Sequence, residues 1–142
     1  MTSLVGIGLW LAAAGHFCIL GASFQVPARL RWKEDLARLT SFNRKLMWTY
    51  GAFTVLTIVS FGLLTIALHD ELLRGDRAAL ALAAFIATYW LARVGVDLFY
   101  FDHRDWPAGT RFVVGHLLLT GLFLALALTY VTVIAWHLLL RR

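Results

Sequence analysis

Residues 89–100 read YWLARVGVDLFY and carry an arginine, Arg93, and an aspartate, Asp97, four positions apart within a long apolar segment. On a helix this spacing puts both side chains on one face, one turn apart. A charged side chain at the centre of a bilayer costs about 3 kcal/mol or more, so such a group usually faces the protein interior and has a partner. The rest of the chain is therefore expected to build surroundings in which both charges are tolerated.

The composition indicates a membrane protein. The 142 residues are 61% hydrophobic and 15% charged, with a mean hydropathy of +0.75, whereas a soluble domain is about 45–50% apolar and about 25% charged. At roughly 20 residues per span, the chain has room for about four transmembrane helices and no separate soluble domain. A single cysteine excludes an internal disulfide framework. No nucleic-acid-binding pattern accompanies the net charge of +5, so we expect no nucleic-acid partner.

Four apolar segments predict an all-α integral membrane protein, a single domain folded as an antiparallel bundle of four transmembrane helices. The predicted spans are 4–25, 46–68, 77–101 and 111–138. Trp32, Leu36 and Leu39 recur at helical spacing in the basic segment after the first span, which predicts a short interfacial amphipathic helix over 28–39. The first span lacks the basic start of a signal peptide, so we expect it to be retained.

The distribution of basic residues predicts the orientation in the membrane. Loops 26–45 and 101–111 together carry eight Lys and Arg, while the 69–77 loop and the C-terminal tail carry four. Because cytoplasmic loops are enriched in Lys and Arg, we expect loops 26–45 and 101–111 in the cytoplasm and both termini on the opposite side.

Polar side chains of all four spans fall at one depth when they are counted inward from the cytoplasmic boundary. Each lies eight or nine residues from the end of its span, which is about 12–14 Å at 1.5 Å per residue. These residues are His16, Thr54, Arg93 and His116. Tyr50 and Asp97 lie one turn nearer the cytoplasm. A layer of ionisable groups inside a membrane predicts a functional site.

Two cofactors suit such a layer. His16 and His116 could ligate the iron of haem b from opposite sides, with Arg93 paired to a propionate. Alternatively, a histidine and Arg93 could bind the carbonyl oxygens of a quinone, with aromatic side chains stacked nearby. The predicted cofactor-binding residues are His16, Arg93, His116, Asp97, Tyr50, Thr54, Tyr89 and Trp90. A site with metal alone is less favoured, because the chain has no HxxxH or ExxH spacing.

The leading functional hypothesis is a small redox-associated membrane protein or subunit. Its layout of four short spans with a basic first loop is similar to that of haem-carrying membrane anchors of respiratory enzymes, although no diagnostic motif is shared. One alternative is a non-catalytic accessory subunit of a larger membrane complex. A second is a membrane enzyme acting on a lipid or isoprenoid, with His16 or His116 as base and Arg93 stabilising an oxyanion. The expected partners are membrane lipid and either other membrane subunits or a second copy of the chain.

Purely structural interpretations stand beside these hypotheses. Arg93 and Asp97 could neutralise each other within one helix, because a buried ion pair can be structural. His16 could be a bundle histidine that hydrogen-bonds a neighbouring helix, as polar side chains commonly do between transmembrane helices.

Overall fold

A computed structural model describes residues 2–101 and 109–140. The helices, in chain order, are α1 Thr2–Ser23, α2 Val26–Arg29, α3 Trp32–Asp35, α4 Ser41–Ala67, α5 His69–Arg74, α6 Arg77–Phe99 and α7 Thr110–Ala135. A 3-10 turn, Leu36–Arg38, follows α3, and a π-helical turn, Trp136–Leu140, follows α7. Within these two ranges no residue forms a β-strand.

Four of these segments are long and apolar enough to cross a membrane: Thr2–Arg29, Ser41–Ala67, Arg77–Phe99 and Thr110–Leu139. The prediction of an all-helical chain with four apolar helices is therefore confirmed for the described part of the sequence. The first apolar segment combines α1 and α2, because backbone hydrogen bonds continue through the intervening residues.

The long helices pack in two pairs, α1 with α4 and α6 with α7, and contacts between α1 and α7 join the pairs. At the start of α1, Gly6 lies beside His69 of α5. Near its middle, Phe17 lies against Gly62 of α4, where an added Cβ would be 3.0 Å from the phenyl ring. Glycine at this position allows the two helices to approach closely.

Side chains from all four long helices form one apolar core. Its largest members include Leu9, Ile58, Phe61, Ile86, Trp90, Phe123, Leu126 and Tyr130. The outer surface is apolar as well, with Leu118 70% exposed and Leu11 68% exposed. Apolar side chains thus cover the inside and the outside of the helices alike.

The predicted amphipathic helix over 28–39 is wrong as a continuous element. Arg31 adopts a left-handed conformation with φ of 53° and separates α2 from α3. Such a conformation costs about 1–2 kcal/mol for a residue other than glycine. The break turns Trp32 onto α4, where its ring meets Trp48 edge-on at 5.8 Å and lies beside Gly51. We attribute the interruption to this packing, which offsets the cost.

Two other boundaries differ from the prediction. Helix α4 begins at Ser41, five residues before the predicted span, because the Thr40 hydroxyl caps it by accepting a 3.5 Å hydrogen bond from the Asn43 backbone N–H. Most of the predicted 69–77 loop is helix α5, which ends at Gly75 in the left-handed conformation with φ of 82°. The predicted loop 101–111 falls mainly on residues 102–108, outside the described residues.

Candidate functional site

His16 lies at the centre of the core with 0% of its surface exposed. Its Nδ1–H donates a 2.8 Å hydrogen bond to the Ala12 carbonyl oxygen, one turn earlier in α1. Its Nε2 accepts a 3.1 Å hydrogen bond from the indole Nε1–H of Trp90 on α6. Both ring nitrogens are therefore satisfied within the chain, and this pattern requires the neutral imidazole with its proton on Nδ1. His16 and Trp90, both predicted site residues, meet here.

Aromatic rings surround the His16 imidazole. The ring centroids of Phe61 and Tyr130 lie 5.9 and 6.0 Å from it. The Thr65 hydroxyl donates to the Phe61 carbonyl oxygen at 2.7 Å, which leaves the Tyr130 hydroxyl to donate to the Thr65 oxygen. His16 thus belongs to a buried hydrogen-bonded core that links α1, α4, α6 and α7. Sequence reasoning placed neither Thr65 nor Tyr130 in a site, and only their position on the inner faces of their helices indicated a buried role.

A second polar cluster joins α6 to α7. The Asp97 carboxylate, 4% exposed, accepts a 2.9 Å hydrogen bond from His116 Nε2–H and a 3.0 Å bond from the Thr120 hydroxyl, both at Oδ2. Asp97 and His116 were predicted site residues, and the structure brings them together. Thr120 was missed as a site residue, although its position one turn after His116 puts both on the same face of α7.

Arg93 does not pair with Asp97 in the structure. Its guanidinium lies between the rings of Phe101 and Phe123, with Cζ 5.9 and 5.5 Å from the two centroids. Among residues 2–101 and 109–139, no side chain forms an ion pair with it. Its Nη1 is buried and has no hydrogen-bond partner among those residues. Arg93 and Asp97 therefore do not neutralise each other, and Nη1 of Arg93 is a hydrogen-bond donor without an acceptor among the described residues.

A cleft of ≈ 570 Å³ opens beside Arg93. The end of α1, the short helices α2 and α3, and one face of α4 form its walls. The lining residues are Ser23, Phe24, Val26, Pro27, Trp32, Trp48, Gly51, Ala52, Thr54, Val55 and Arg93. Arg93 is the only charged residue in this set. As far as the described residues line it, the cleft is thus an apolar space with one cationic group at its wall.

The other predicted residues divide between the cleft and its surroundings. Thr54 lines the cleft with Arg93, and its hydroxyl donates a 2.9 Å hydrogen bond to the Tyr50 carbonyl oxygen. The Tyr50 side chain is 60% exposed and is not part of the lining. Tyr89 packs edge-on against Phe61 at 5.1 Å. Neither tyrosine is among the residues that line the cleft.

The predicted single layer of His16, Thr54, Arg93 and His116 is not observed. His16 lies level with Phe61 and Gly62 on α4, seven residues or about 10 Å from Thr54 along that helix. The residue of α1 that shares the cleft with Thr54 is Ser23. The estimate failed because α4 begins earlier than predicted, so that its first turns extend beyond the end of α1.

His16 and His116 do not fit the predicted haem. His16 contacts Trp90 and His116 contacts Asp97, seven residues or about 10 Å apart on α6. The lone pair of His16 that would bind iron already accepts the indole N–H. The described residues also include no group of three or more His, Cys, Asp or Glu side chains placed to hold a metal ion.

The Arg93 cleft therefore remains as the candidate site. A guanidinium presents its N–H donors in a rigid fork that matches carboxylate, phosphate or carbonyl oxygens. No protein-family model matches the chain, and no curated protein or solved structure shows significant similarity to it. Its function must therefore be inferred from the geometry of this cleft.

Proposed function

We propose that this chain is a multi-pass membrane protein, an antiparallel bundle of four transmembrane helices, that holds a lipid-soluble ligand in the Arg93 cleft. The observation that supports this proposal is the buried Nη1 of Arg93, which lacks an acceptor among the described residues and belongs to a side chain lining a cleft of ≈ 570 Å³. Buried donors in native proteins are almost always paired, so such an exception needs an explanation. In this proposal, an oxygen of a ligand in the cleft supplies the guanidinium with an acceptor.

Three features support the proposed antiparallel membrane bundle. The four long helices are apolar along lengths that match a bilayer. Large exposed side chains such as Leu11 and Leu118 give these helices an outer surface suited to lipid rather than water. Successive contacts of α1 fall at decreasing residue numbers, from His69 to Gly62, as expected for antiparallel neighbours. We further propose that loops 26–45 and 101–111 face the cytoplasm, following their excess of Lys and Arg.

The cleft suits a ligand with an oxygen-bearing head and an apolar body. The head accepts hydrogen bonds from Arg93, while Trp32, Trp48 and Val55 contact the body. A quinone belongs to this class through its carbonyl oxygens, and it is the sequence-derived cofactor that the geometry supports better. Four hypotheses from the sequence remain predictions. They are a redox role, a role as an accessory subunit, action on a lipid or isoprenoid, and association with other subunits or a second copy.

Binding of two soluble probes, decylubiquinone and oleate, tests the proposal on the purified full-length chain. The quinone ring quenches tryptophan fluorescence directly, and a dibrominated stearate reports on competition by oleate. Since Trp32 and Trp48 line the cleft, we expect saturable quenching by at least one probe. The Arg93→Met variant should weaken that binding about tenfold or more, because it removes a charge-assisted hydrogen bond.

The matched control is Arg77→Met, which removes an exposed arginine at the start of the same helix. This variant should bind both probes as the unmodified chain does. Absence of saturable binding for both probes would refute the proposal. Equal binding by the Arg93→Met and Arg77→Met variants would refute it as well.

A further inference from the structure

We infer that the head group held by Arg93 is anionic, so that the ligand is an acidic amphiphile with a carboxylate or phosphate on an apolar chain. The inference rests on the proposed function and narrows its ligand class. An uncharged quinone and a neutral lipid then become alternative outcomes of the test.

The charge balance of the cleft favours an anion. Arg93 is the only charged residue among the described residues of the lining. The nearest acidic residue on its own helix, Asp97, already accepts hydrogen bonds from His116 and Thr120 of α7. With a neutral head, the guanidinium would therefore have no counter-charge from residues 2–101 and 109–139 in an apolar space, which is unfavourable. An anionic head supplies that charge and the missing acceptor together.

The contacts that the guanidinium makes are compatible with binding a charged head group. The rings of Phe101 and Phe123 lie within cation–π distance of Cζ, at 5.9 and 5.5 Å. Contacts to the faces of aromatic rings do not use the N–H donors at the edge of the guanidinium, and Nη1 has no acceptor among the described residues. Paired N–H donors of arginine bind carboxylate and phosphate oxygens in a bidentate manner and more strongly than they bind neutral acceptors.

The rest of the cleft indicates that the anion has an apolar chain. Except for Arg93, Ser23 and Thr54, the lining consists of apolar and tryptophan side chains. Phe24 and Trp48 of the lining are themselves exposed, so the cleft is open to the outer surface of the helices. The segment 26–45, which includes α2 and α3, carries six Lys and Arg against two acidic residues, Glu34 and Asp35, and net positive charge near a cleft raises the local concentration of anions. An acidic amphiphile in the adjoining leaflet meets all three features.

A pair of ligands that differ only in charge tests this inference. Oleate and its uncharged methyl ester have the same chain, and each is titrated against the full-length chain in uncharged detergent at alkaline pH. Displacement of a dibrominated stearate from Trp32 and Trp48 reports binding. We expect oleate to bind about tenfold or more tightly than methyl oleate, which corresponds to one charge-assisted hydrogen bond.

Two substitutions and one control locate the source of this preference. Arg93→Met should abolish the preference for oleate, whereas Arg93→Lys, which keeps the charge and loses the fork, should retain part of it. Arg44→Met removes an exposed basic residue of α4 that is not in the lining and should leave the preference unchanged. Acetate, an anion without a chain, should not displace the stearate at equal concentration.

The outcomes separate this inference from the proposed function. Equal affinity for oleate and methyl oleate, or a preference that persists in Arg93→Met, overturns the anionic head. Displacement by acetate overturns the amphiphile. If methyl oleate or decylubiquinone binds as tightly as oleate and depends on Arg93, the inference fails while the proposed function stands. If no probe depends on Arg93, both fail.

Discussion

The indole N–H of Trp90 and the imidazole of His16 form a hydrogen bond in the buried core, between α6 and α1. His16 is held at its other nitrogen by the Ala12 carbonyl oxygen, so its orientation is fixed from two sides. Leaving a buried acceptor without its donor costs about 1–3 kcal/mol in water-soluble proteins. Hydrogen bonds between transmembrane helices average only about 0.6 kcal/mol, because the unfolded chain in the membrane also finds partners.

We therefore expect Trp90→Phe to lower the free energy of unfolding by about 0.6–2 kcal/mol. Phenylalanine retains a ring to stack on Phe123, which lies 4.8 Å from Trp90, and removes the N–H donor. Unfolding in mixed micelles with increasing denaturing detergent measures the change. The control is Trp10→Phe, since the Trp10 ring stacks on His69 at 4.8 Å and is half exposed. In a His16→Leu background, where the acceptor is gone, Trp90→Phe should cost less than it does in the unmodified chain, and an unchanged cost there would contradict the assigned hydrogen bond.

At the level of secondary-structure elements, composition and length were sufficient to predict the four long helices. Each is a run of apolar residues long enough to cross a bilayer, and local sequence decides that property. The break at Arg31 was not predictable, because the left-handed residue is stabilised by the contact of Trp32 with Trp48 of another helix. Local periodicity contains no information about such a tertiary contact.

The candidate site was predictable in part. The i,i+4 spacing of Arg93 and Asp97 drew attention to both residues, and depth counting placed Thr54 at the level of Arg93; Thr54 and Arg93 line the same cleft. The same counting misplaced His16, because it assumed that the end of α1 and the start of α4 lie at the same depth. Spacing within α6 also left open whether Asp97 faces Arg93 or another helix. That choice depends on α7, which presents His116 and Thr120 to the carboxylate.

The close approach of α1 and α4 at Gly62 gives a prediction for these elements. A Cβ at residue 62 would lie 3.0 Å from two ring atoms of Phe17 and 3.4 Å from the His16 Cβ. Gly62→Ala should therefore lower the free energy of unfolding by about 1–3 kcal/mol, the usual cost of overpacking. At Gly121 of α7 an added Cβ meets nothing within 4 Å, so Gly121→Ala should be neutral or stabilising by up to about 1 kcal/mol. Equal effects of the two substitutions in detergent unfolding would contradict the packing of α1 against α4.

For the whole molecule, the proposed bundle determines which segments share a side of the membrane. Four spans would place both termini on one side together with α5, and the basic segment between α1 and α4 on the other side. The lysines and arginines of that segment favour the cytoplasm. An acidic amphiphile that reaches the Arg93 cleft from a leaflet would then come from the cytoplasmic leaflet, because α2 and α3 wall the cleft.

Cysteine labelling in intact membranes tests this arrangement. The chain has one cysteine, Cys18, so Cys18→Ser provides a background for single cysteines at exposed positions on α3 and α5. Lys33→Cys and Asp70→Cys should react with a membrane-impermeant maleimide from opposite sides, Asp70→Cys in intact cells and Lys33→Cys only after the membrane is opened. A cysteine in place of Arg74, which is exposed on α5, should behave like Asp70→Cys. Labelling of α3 and α5 from the same side would rule out the four-span topology, and labelling from opposite sides in the reverse sense would keep the topology and reverse the orientation.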